Sequence, residues 1–382
     1  MTPVEERLRR QIALAGPISV AEFMAACVSA PDGYYARREA FGEGGDFVTA
    51  PQISGIFGEL LGAFLVDRWN ADGRPDPFDL VELGPGNGTL MADVLRVADA
   101  VPRFRTAARV VLVEASDRLR QVQRDRLAPL HPRVAWMDRV PTDRPVYLLA
   151  NEFLDALPIR QFVRRGGAWF ERTVGLADGR LAFGLAPFPV PFAEAAPEGA
   201  VREIRPAADA LVRRVAEHVA VSGAGAALFV DYGYDGPGHG DTLQAVRGHA
   251  HVDVLDRPGE SDLSAHVDFP SLAAAAREAG AAVHGPVGQG RLLVALGLLE
   301  RAGQLGANAD DVTRKALQDA VHRLAGEREG EMGTLFKALA LTARDEPVPG
   351  FIPAAAGPDT AAPTAAGPTA AGPADGGAQE GG

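Results

Sequence analysis

The chain has 382 residues, of which 47% are hydrophobic, and it carries a formal net charge of −12 at pH 7. This composition supports a substantial folded core, and the negative charge argues against general nucleic-acid binding, because phosphate groups require a basic surface. No apolar run is long enough to cross a bilayer and no signal peptide is visible, so membrane insertion is not expected and a cytoplasmic location is the default prediction.

A glycine-rich segment at 42–51 leads into the first strongly apolar helical pattern. Pro51 is typical of a first helical turn, and apolar residues recur at helical spacing from 53 to 65, which predicts one helix with a single apolar face. Asp46 and Thr49 lie beside the predicted helix start, where free N–H groups suit the carboxylate of a bound ligand. A capped helix start with Asp46 in a turn explains the same residues without a ligand.

A mostly apolar run at 78–83 contains an acid near its end and leads into three glycines, a pattern that predicts a strand, a tight turn and a helix. The acid is Glu82, and the glycines are Gly84, Gly86 and Gly88. Glycine lets the backbone turn sharply and approach a ligand closely. A dinucleotide fingerprint requires glycine where Thr89 stands, whereas Glu82 suits the sulfonium and ammonium groups of S-adenosyl-L-methionine (SAM). A glycine turn with no ligand is the simpler alternative.

Two further strands are predicted to end in acids at the same edge of the sheet. The run at 108–113 is followed by Glu114, whose carboxylate is placed to accept hydrogen bonds from a ribose diol. This feature indicates a nucleoside, but it fits NAD as well as SAM. The run at 133–137 is followed by Asp138, which we interpret either as a partner of the adenine amino group or as an ordinary turn residue.

Polar residues cluster after the next buried strand, at 146–150. In an open α/β sheet, ligands bind at the carboxyl ends of the strands, so Asn151, Glu152 and Asp155 are predicted to border the position from which a methyl group is transferred. We assign Asn151 to cofactor binding, and Glu152 and Asp155 to catalysis. The alternative is that Glu152 is solvated and that Asp155 caps a turn before Pro158.

The order of predicted elements indicates an α/β fold with a doubly wound, mostly parallel sheet. Further strands are expected at 226–231 and 335–341, and the alternating pattern of 159–190, with glycines at its turns, predicts inserted hairpins. The predicted segments are an N-terminal helical cap (1–70), the first half of the core (71–158), an inserted β-rich and helical lobe (159–225), the rest of the core with a substrate-cap insertion near 236–269 (226–352), and a tail (353–382). The tail is expected to be disordered because it offers few large apolar side chains.

Six motifs occur in the order found in MidA-type methyltransferases, and the chain resembles that family from about 17 to 341. The motifs are GDFVTAP at 45–51, ELGPGNGTL at 82–90, NEFLDALP at 151–158, DYGY at 231–234, DLSAHVDF at 262–269 and GTLFK at 333–337. The resemblance implies a class I methyltransferase fold with a seven-stranded sheet and SAM as the cofactor. We assign Tyr232 and His266, which lie in the fourth and fifth motifs, to substrate binding, with ordering of the lobe as another role for His266.

The MidA-type family includes the mitochondrial enzyme that symmetrically dimethylates an arginine of a respiratory complex I subunit. The resemblance therefore makes a protein arginine the expected methyl acceptor and a complex I subunit one candidate client. This chain has Gln52 where the family commonly has glutamate, which removes a charge near the cofactor entrance. Glutamine still accepts a hydrogen bond there.

Other interpretations stay open at this point. A SAM-binding assembly factor with little turnover, a small-molecule methyltransferase and a nicotinamide oxidoreductase are the alternatives. No metal is expected, because Cys27 is the single cysteine and the group of His249, His251 and Asp253 lacks the ligand count of a metal site. A buried, hydrogen-bonded histidine is an equal alternative for His266, and a homodimer is one option for the oligomeric state.

Overall fold

The computed structural model describes residues 1–28, 33–34, 49–236, 238 and 240–351. Asp46 and the tail at 353–382 lie outside the described residues. In chain order, the helices are α1 (Pro3–Ala15), α2 (Val20–Val28), α3 (Ala50–Ile53), α4 (Gly55–Ala71), α5 (Thr89–Asp99), α6 (Pro102–Ala107), α7 (Asp117–Leu127), α8 (Pro206–Ser222), α9 (Phe269–Glu278), α10 (Gln289–Ala295), α11 (Leu298–Gly306) and α12 (Asp311–Ala325). The strands are β1 (Ile18–Ser19), β2 (Phe78–Leu83), β3 (Ala108–Val113), β4 (Val134–Met137), β5 (Val146–Asn151), β6 (Arg160–Arg165), β7 (Ala168–Ala177), β8 (Arg180–Val190), β9 (Val201–Ile204), β10 (Ala226–Tyr234), β11 (Gln244–Arg247), β12 (Ala250–Val252), β13 (Asp262–Ser264), β14 (Val267–Asp268), β15 (Ala282–Gly288) and β16 (Phe336–Thr342).

A mostly parallel sheet forms the centre of the fold. Its strands lie in the order β15-β16-β10-β5-β2-β3-β4, and the short β14 pairs in parallel with the end of β10. Strands β10, β5, β2, β3 and β4 run parallel, whereas β16 is antiparallel to both β10 and β15. The order reverses between β2 and β5, so their carboxyl ends form a switch point, the usual ligand position in such sheets. The predicted doubly wound α/β fold is confirmed, and the main path has the expected seven strands.

Helices cover both faces of this sheet, which explains why its central strands are apolar throughout. Phe78 and Leu80 of β2 contribute to one hydrophobic cluster, which also contains residues of α4, α5, α6 and α10 to α12. Val81 and Leu83 of the same strand contribute to a second cluster, with α8 and α9. This alternation follows from the twofold period of a strand, and it leaves the strand ends free to carry polar side chains.

A five-stranded sheet forms the inserted lobe. Strands β6, β7 and β8 form the two predicted hairpins, with turns at 166–167 and 178–179, so the hairpin prediction is confirmed. β9 pairs with β6, and β1 from the N-terminal segment pairs with β7. Side chains of α1 and α2 share a third hydrophobic cluster with this lobe. Pairing of the two-residue β1 was not predicted, because so short a strand has no detectable alternation.

The apolar pattern after Pro51 forms two helices, and the prediction of a single helix was wrong. α3 ends at Ile53, and Ser54 adopts an extended backbone conformation before α4 begins at Gly55. The Ser54 hydroxyl accepts a hydrogen bond of 3.3 Å from the Ile56 N–H and caps α4. Apolar spacing carries no information about such a cap, because serine competes locally for backbone hydrogen bonds without changing the hydrophobic face.

Within the described ranges, no helix is both long and apolar enough to span a membrane. No group of three or more His, Cys, Asp or Glu side chains in the same ranges is arranged to hold a metal ion. His249, His251 and Asp253 lie on or beside β12, and Cys27 is buried on α2.

Candidate active site

The turn between β2 and α5 requires glycine at each of its predicted positions. Gly84, Gly86 and Gly88 have φ values of 58°, 53° and 79°, a left-handed conformation that other residues rarely adopt. At Gly84, a Cβ atom would also lie 2.6 Å from Cδ2 of Phe153. The Gly88 N–H donates to the Pro85 carbonyl at 2.7 Å and closes the turn. The glycines therefore shape a compact cradle at the carboxyl end of β2.

A pocket of about 400 Å³, which includes open solvent at its mouth, lies at this turn. The predicted site residues that line it are Thr49, Glu82, Gly84, Gly86, Asn151 and Glu152. The described residues that were predicted for the site but do not line it are Gly88, Glu114, Asp138, Asp155, Tyr232 and His266. The structure thus brings the ends of β2 and β5 and the start of α3 together around one cavity.

Glu82 lies in the pocket wall with only 3% of its surface exposed. Its Oε2 has no hydrogen-bond partner among the described residues. The pKa of Glu82 is raised to about 8, mainly by burial and further by the nearby acids Asp93 and Glu114, while a hydrogen bond with the Met91 backbone lowers it. A cationic ligand group beside Oε2 would favour the ionised carboxylate.

Glu114 is connected to the glycine turn through a buried glutamine. The side-chain amide of Gln123, on α7, donates to the Gly86 carbonyl at 2.8 Å and to Oε2 of Glu114 at 3.2 Å. The Glu114 carboxylate also accepts the Ser116 N–H at 2.8 Å, and burial raises its pKa. Gln123 was not predicted as a site residue. The signal available in the sequence was a polar residue on the helix that follows the Glu114 strand.

Asp138 lies at the solvent edge, next to this cluster. Its side chain is 89% exposed and forms an ion pair of 2.6 Å with Arg120. Arg120 also donates hydrogen bonds of 2.8 and 2.5 Å to the Glu114 carbonyl. The structure therefore links Asp138 to the strand end of Glu114 rather than to the pocket wall, and its contact with an adenine stays a prediction.

Glu152 joins the end of β5 to the start of α3. Its Oε1 accepts hydrogen bonds of 3.2 Å from the Ala50 N–H and from Nδ2 of Asn151. Its φ is 50°, a left-handed value that non-glycine residues adopt mainly at constrained sites. Burial, and then the charge of Asp155, raise the pKa of Glu152 to about 7. Because Glu152 binds the Ala50 N–H, the start of α3 does not offer that group to a ligand carboxylate.

Gln52 takes part in the same corner of the pocket. Its Oε1 accepts a hydrogen bond of 3.2 Å from the Thr49 N–H, as in a capping box. Glutamate performs the same capping role, so the departure from the family pattern at Gln52 removes a charge and keeps the backbone contact. Asn151 contributes a further buried oxygen, Oδ1, which has no hydrogen-bond partner in the part of the chain that the structure describes.

Asp231, at the carboxyl end of β10, anchors the turn that follows β5. Its Oδ2 accepts the backbone N–H groups of Phe153, Leu154 and Asp155 at 3.1, 2.8 and 3.3 Å. Its Oδ1 accepts the Tyr232 N–H at 3.0 Å. Burial and the adjacent acids raise the pKa of Asp231, and the hydrogen bonds to the turn oppose that rise. We did not predict this anchoring role, although an acid at the end of a buried strand is a visible signal.

Asp155, Tyr232 and His266 form one cluster beside Glu152. The Tyr232 hydroxyl donates a hydrogen bond of 2.6 Å to Oδ2 of Asp155, and Oδ1 of Asp155 has no partner among the described residues. The rings of Tyr232 and His266 meet edge to face, with centroids 5.5 Å apart. Burial raises the pKa of Asp155 and lowers that of His266. Residues predicted for catalysis and for substrate binding are therefore neighbours.

The chemistry of these groups fits SAM. Glu82 offers an unpartnered carboxylate oxygen for a cationic group, and Asn151 offers an unpartnered amide oxygen. The glycine turn lets a ligand approach the backbone, and Glu114 lies nearby as an acceptor for hydroxyl donors. A pyrophosphate in the same pocket would face the Glu82 carboxylate, which disfavours a dinucleotide.

Comparisons with known proteins agree with this chemistry. A family model described as "Putative S-adenosyl-L-methionine-dependent methyltransferase" matches residues 60–287. The mouse (Mus musculus) protein arginine methyltransferase NDUFAF7, mitochondrial, is 39% identical over 344 residues, which cover 80% of this chain and 78% of that protein. The human (Homo sapiens) protein of the same name is 34% identical over 373 residues, covering 89% of this chain and 84% of that protein.

The names of these relatives also correct one prediction. Both are named as mitochondrial proteins, so the default prediction of a cytoplasmic location is contradicted and was wrong. That prediction rested only on the lack of a visible targeting signal, which is not positive evidence for any compartment.

Solved structures provide the same assignment at the level of the fold. A crystal structure from Burkholderia thailandensis, bound to S-adenosyl-homocysteine, is 30% identical and superposes with a TM-score of 0.77, covering 91% of this chain and 93% of that chain. A native structure from the same organism is 29% identical, with a TM-score of 0.77, and covers 92% and 94% of the two chains. The predicted resemblance to MidA-type methyltransferases and the choice of SAM over a nicotinamide cofactor are confirmed. The chain therefore belongs to the family of S-adenosyl-L-methionine-dependent methyltransferases.

Proposed function

We propose that this methyltransferase methylates the guanidinium group of an arginine side chain in a protein client. The observation that carries the proposal is the pair of acids Glu152 and Asp155, which lie beside the cofactor pocket and have raised pKa values. Two carboxylates suit a planar cation with several N–H donors. The names of the relatives, which are protein arginine methyltransferases, support the same acceptor.

The cofactor-binding residues in this proposal surround the glycine turn. Glu82 binds the cationic end of SAM, Glu114 binds the ribose hydroxyls, and Asn151 and Thr49 complete the pocket wall. Asp46, which lies outside the described residues, and Asp138 remain proposed contacts from the sequence pattern. SAM supplies a methyl group activated on a sulfonium, so the protein has to align the acceptor and exclude water.

Glu152 and Asp155 are proposed to prepare the acceptor. An arginine guanidinium is protonated at neutral pH and is a poor nucleophile. A carboxylate that holds it through two hydrogen bonds localises its charge, and a carboxylate with a raised pKa accepts its proton as the nitrogen attacks. The pKa of about 7 at Glu152 lies near neutral pH, which suits a proton acceptor. Tyr232 and His266 are proposed to contact the client beside Asp155.

The inserted lobe at 159–225 and the segment near 236–269 are proposed to bind the client around its target arginine. A respiratory complex I subunit is one candidate client, on the basis of the resemblance described above. The proposal needs no metal and no nucleic acid.

The test uses SAM labelled on the methyl group and an extract from cells that lack this protein. Wild type should label a protein band, and mass spectrometry should find dimethylated arginine in that band. The Glu152→Gln variant keeps an Oε1 that accepts the Ala50 N–H, so it should bind SAM normally and lose labelling. The Gly86→Arg variant fills the left-handed turn and should lose both SAM binding and labelling.

The other outcomes separate the remaining interpretations. SAM binding by calorimetry with no labelled product would favour an assembly factor with little turnover. Label in low-molecular-weight material, with none in protein, would favour a small-molecule methyltransferase. Labelled protein from the Glu152→Gln variant at the wild-type rate would contradict the role of Glu152 as proton acceptor.

A further inference from the structure

Arg205 is a buried arginine whose guanidinium forms no hydrogen bond with the described residues. It follows β9 directly, precedes α8, and is 3% exposed. Its Nε, Nη1 and Nη2 atoms have no hydrogen-bond partner among the described residues. Arg205 forms an ion pair with Glu203, with 4.0 Å between Nη1 of the arginine and Oε2 of the glutamate. A buried guanidinium in this state is strongly unfavourable unless nearby negative charge compensates it.

Glu203 is already bound by other groups. Its Oε1 accepts hydrogen bonds from Nε2 of Gln161 at 2.7 Å and from the Thr242 N–H at 3.0 Å. Its Oε2 accepts the Thr242 hydroxyl at 2.5 Å. These three contacts hold the carboxylate in the lobe and leave the guanidinium of Arg205 at a longer distance. Glu203 therefore compensates the charge of Arg205 only in part.

A short segment connects this cluster to the proposed acceptor site. The backbone N–H of His266 donates to the Thr242 hydroxyl at 2.9 Å, and the preceding Ala265 N–H donates to the Asp155 carbonyl at 3.1 Å. Asp155 has an unpartnered Oδ1 in the described structure and a second oxygen bound to Tyr232. A chain of contacts through Glu203, Thr242 and the 265–266 segment thus connects a buried cation to a buried carboxylate. Among the described residues, the cation has no hydrogen-bond acceptor and one carboxylate oxygen has no donor.

We propose that Arg205 is a positioning residue of the acceptor site: its buried positive charge holds Asp155 in the ionised form before the cationic acceptor arrives. The inference rests on the proposed arginine acceptor. Burial raises the pKa of Asp155, and the charge of Arg205 lowers it. Without Arg205, Asp155 would retain its proton more readily, and a neutral carboxyl group pairs weakly with a guanidinium.

The charged groups around the two residues agree with this role. Asp155 faces Asp231 and Tyr232 on β10 and Glu152 on its own segment, and these two acids favour its protonation. Arg205 faces Glu203 on β9, Asp209 on α8, Tyr234 on β10 and His266. Burial lowers the pKa of His266, Glu203 opposes that change and Arg205 adds to it, so the environment disfavours the charged imidazole. Arg205 is therefore a buried cation that favours ionised Asp155.

The first test is the pH profile of kcat/KM with the labelled client protein. Arg205→Met should have a kcat/KM roughly tenfold or more below that of wild type at pH 7. The acid limb of its pH profile should shift upward by about one pH unit, so that activity recovers at alkaline pH. Arg205→Lys keeps the charge and should restore most of the activity. The control is Arg202→Met, on β9, whose guanidinium pairs with Glu194 at 2.9 Å and is partly exposed. An equal loss at every pH, or a lower KM in Arg205→Met, would overturn the proposal.

The second test needs no client, so it remains decisive if the proposed acceptor is wrong. Urea unfolding is measured at pH 5 and pH 9 for wild type, Arg205→Met, Asp155→Asn and the double variant. Because the cation favours ionised Asp155, Arg205→Met should reduce the folding equilibrium constant about tenfold more at pH 9 than at pH 5. That difference should disappear in the Asp155→Asn background. The coupling between Arg205 and Asp155 is refuted if the difference between pH 9 and pH 5 persists in the Asp155→Asn background. It is also refuted if Arg205→Met alone shows no such difference.

Discussion

The Tyr232 hydroxyl donates a hydrogen bond of 2.6 Å to Oδ2 of Asp155, although 77 residues separate the two positions in the chain. Parallel pairing of β10 with β5 brings the two strand ends together, and Asp231 holds the turn between β5 and Asp155 in place. The hydrogen bond fixes the orientation of the Asp155 carboxylate. Its Oδ1, unpartnered in the described chain, is then the oxygen available to an acceptor.

Replacing Tyr232 by phenylalanine should impair turnover without affecting cofactor binding. The change removes only the hydroxyl, and the loss of a hydrogen bond to a charged group corresponds to a tenfold to hundredfold decrease in kcat, roughly 1.5 to 3 kcal/mol. Tyr232 is not among the described residues that line the SAM pocket, so the Kd for SAM should stay within about twofold of wild type. Steady-state kinetics and calorimetry measure the two quantities, and an unchanged kcat would show that Asp155 needs no orientation by Tyr232.

SAM binding should release a proton at pH 7, and the proton should come from Glu82. The pKa of about 8 means that this carboxyl is mostly protonated in the free protein at pH 7. A bound cation favours the ionised form, so binding lowers the pKa and expels the proton. Calorimetry in buffers of different ionisation enthalpy gives the number of protons released on SAM binding. This number should approach zero above pH 9 and in the Glu82→Gln variant. Equal proton release by that variant would assign the effect to another group.

Glu82 should also make the free energy of unfolding depend on pH. The pKa of Glu82 is raised in the folded state, so its contribution to stability is present below pH 4.5, the ordinary value, and is lost as pH rises through about 8. Glu82→Gln removes this group from the titration. The free energy of unfolding of the variant should therefore fall less between pH 5 and pH 9 than that of wild type, by an amount on the order of a few kcal/mol. If the free energies of unfolding of wild type and Glu82→Gln changed equally with pH, the titrating group would be a residue other than Glu82.

Alanine at Gly84 should destabilise the fold much more than alanine at Gly166, which has nearly the same φ. The two glycines have φ values of 58° and 57°, so the left-handed conformation costs both variants about 1 to 2 kcal/mol. A Cβ at Gly84 also meets Phe153 at 2.6 Å, whereas no atom lies within 4 Å at Gly166. We expect about 1 to 3 kcal/mol of additional destabilisation at Gly84, with weaker SAM binding. Denaturant unfolding of the pair measures the difference, and equal losses would mean that Phe153 moves aside.

Asp231→Ala should lower both stability and turnover. It leaves four backbone N–H groups without their acceptor, which corresponds to about 3 kcal/mol or more of lost stability. Asp231→Asn keeps one oxygen for the turn but turns an amide donor towards the Tyr232 N–H. Its stability and turnover should therefore lie between those of wild type and Asp231→Ala. Urea unfolding and the rate of methyl transfer test the order of the three proteins. Full activity in Asp231→Ala would contradict the anchoring role.

Sequence reasoning worked best where local backbone requirements decide the residue. The glycines at 84, 86 and 88 were recognised because a left-handed turn leaves almost no other choice, and the flanking strand was recognised because a sheet covered on both faces needs a continuous apolar run. The hairpin turns at 166–167 and 178–179 were found for the same reason.

The contacts that were missed depend on distant partners or on a single polar atom. Ser54 interrupts the helix with a local cap that leaves the hydrophobic spacing unchanged. Gln123 becomes important only because α7 places its amide against Gly86. Arg205 has no motif around it, and its unusual environment exists only after β9, β10 and the 265–266 segment have packed together.

The sequence by itself determined the sheet, the glycine turn and the family, because strand periodicity, left-handed glycines and ordered motifs are properties of short segments. Only the tertiary structure decided which acids share an environment and how strongly each is desolvated. Glu82 and Glu152 look alike in the sequence, yet burial and neighbouring charge raise their pKa values to about 8 and about 7, respectively. Electrostatic energy depends on distances and solvent exclusion across the fold, and those quantities exist only once distant strands have paired.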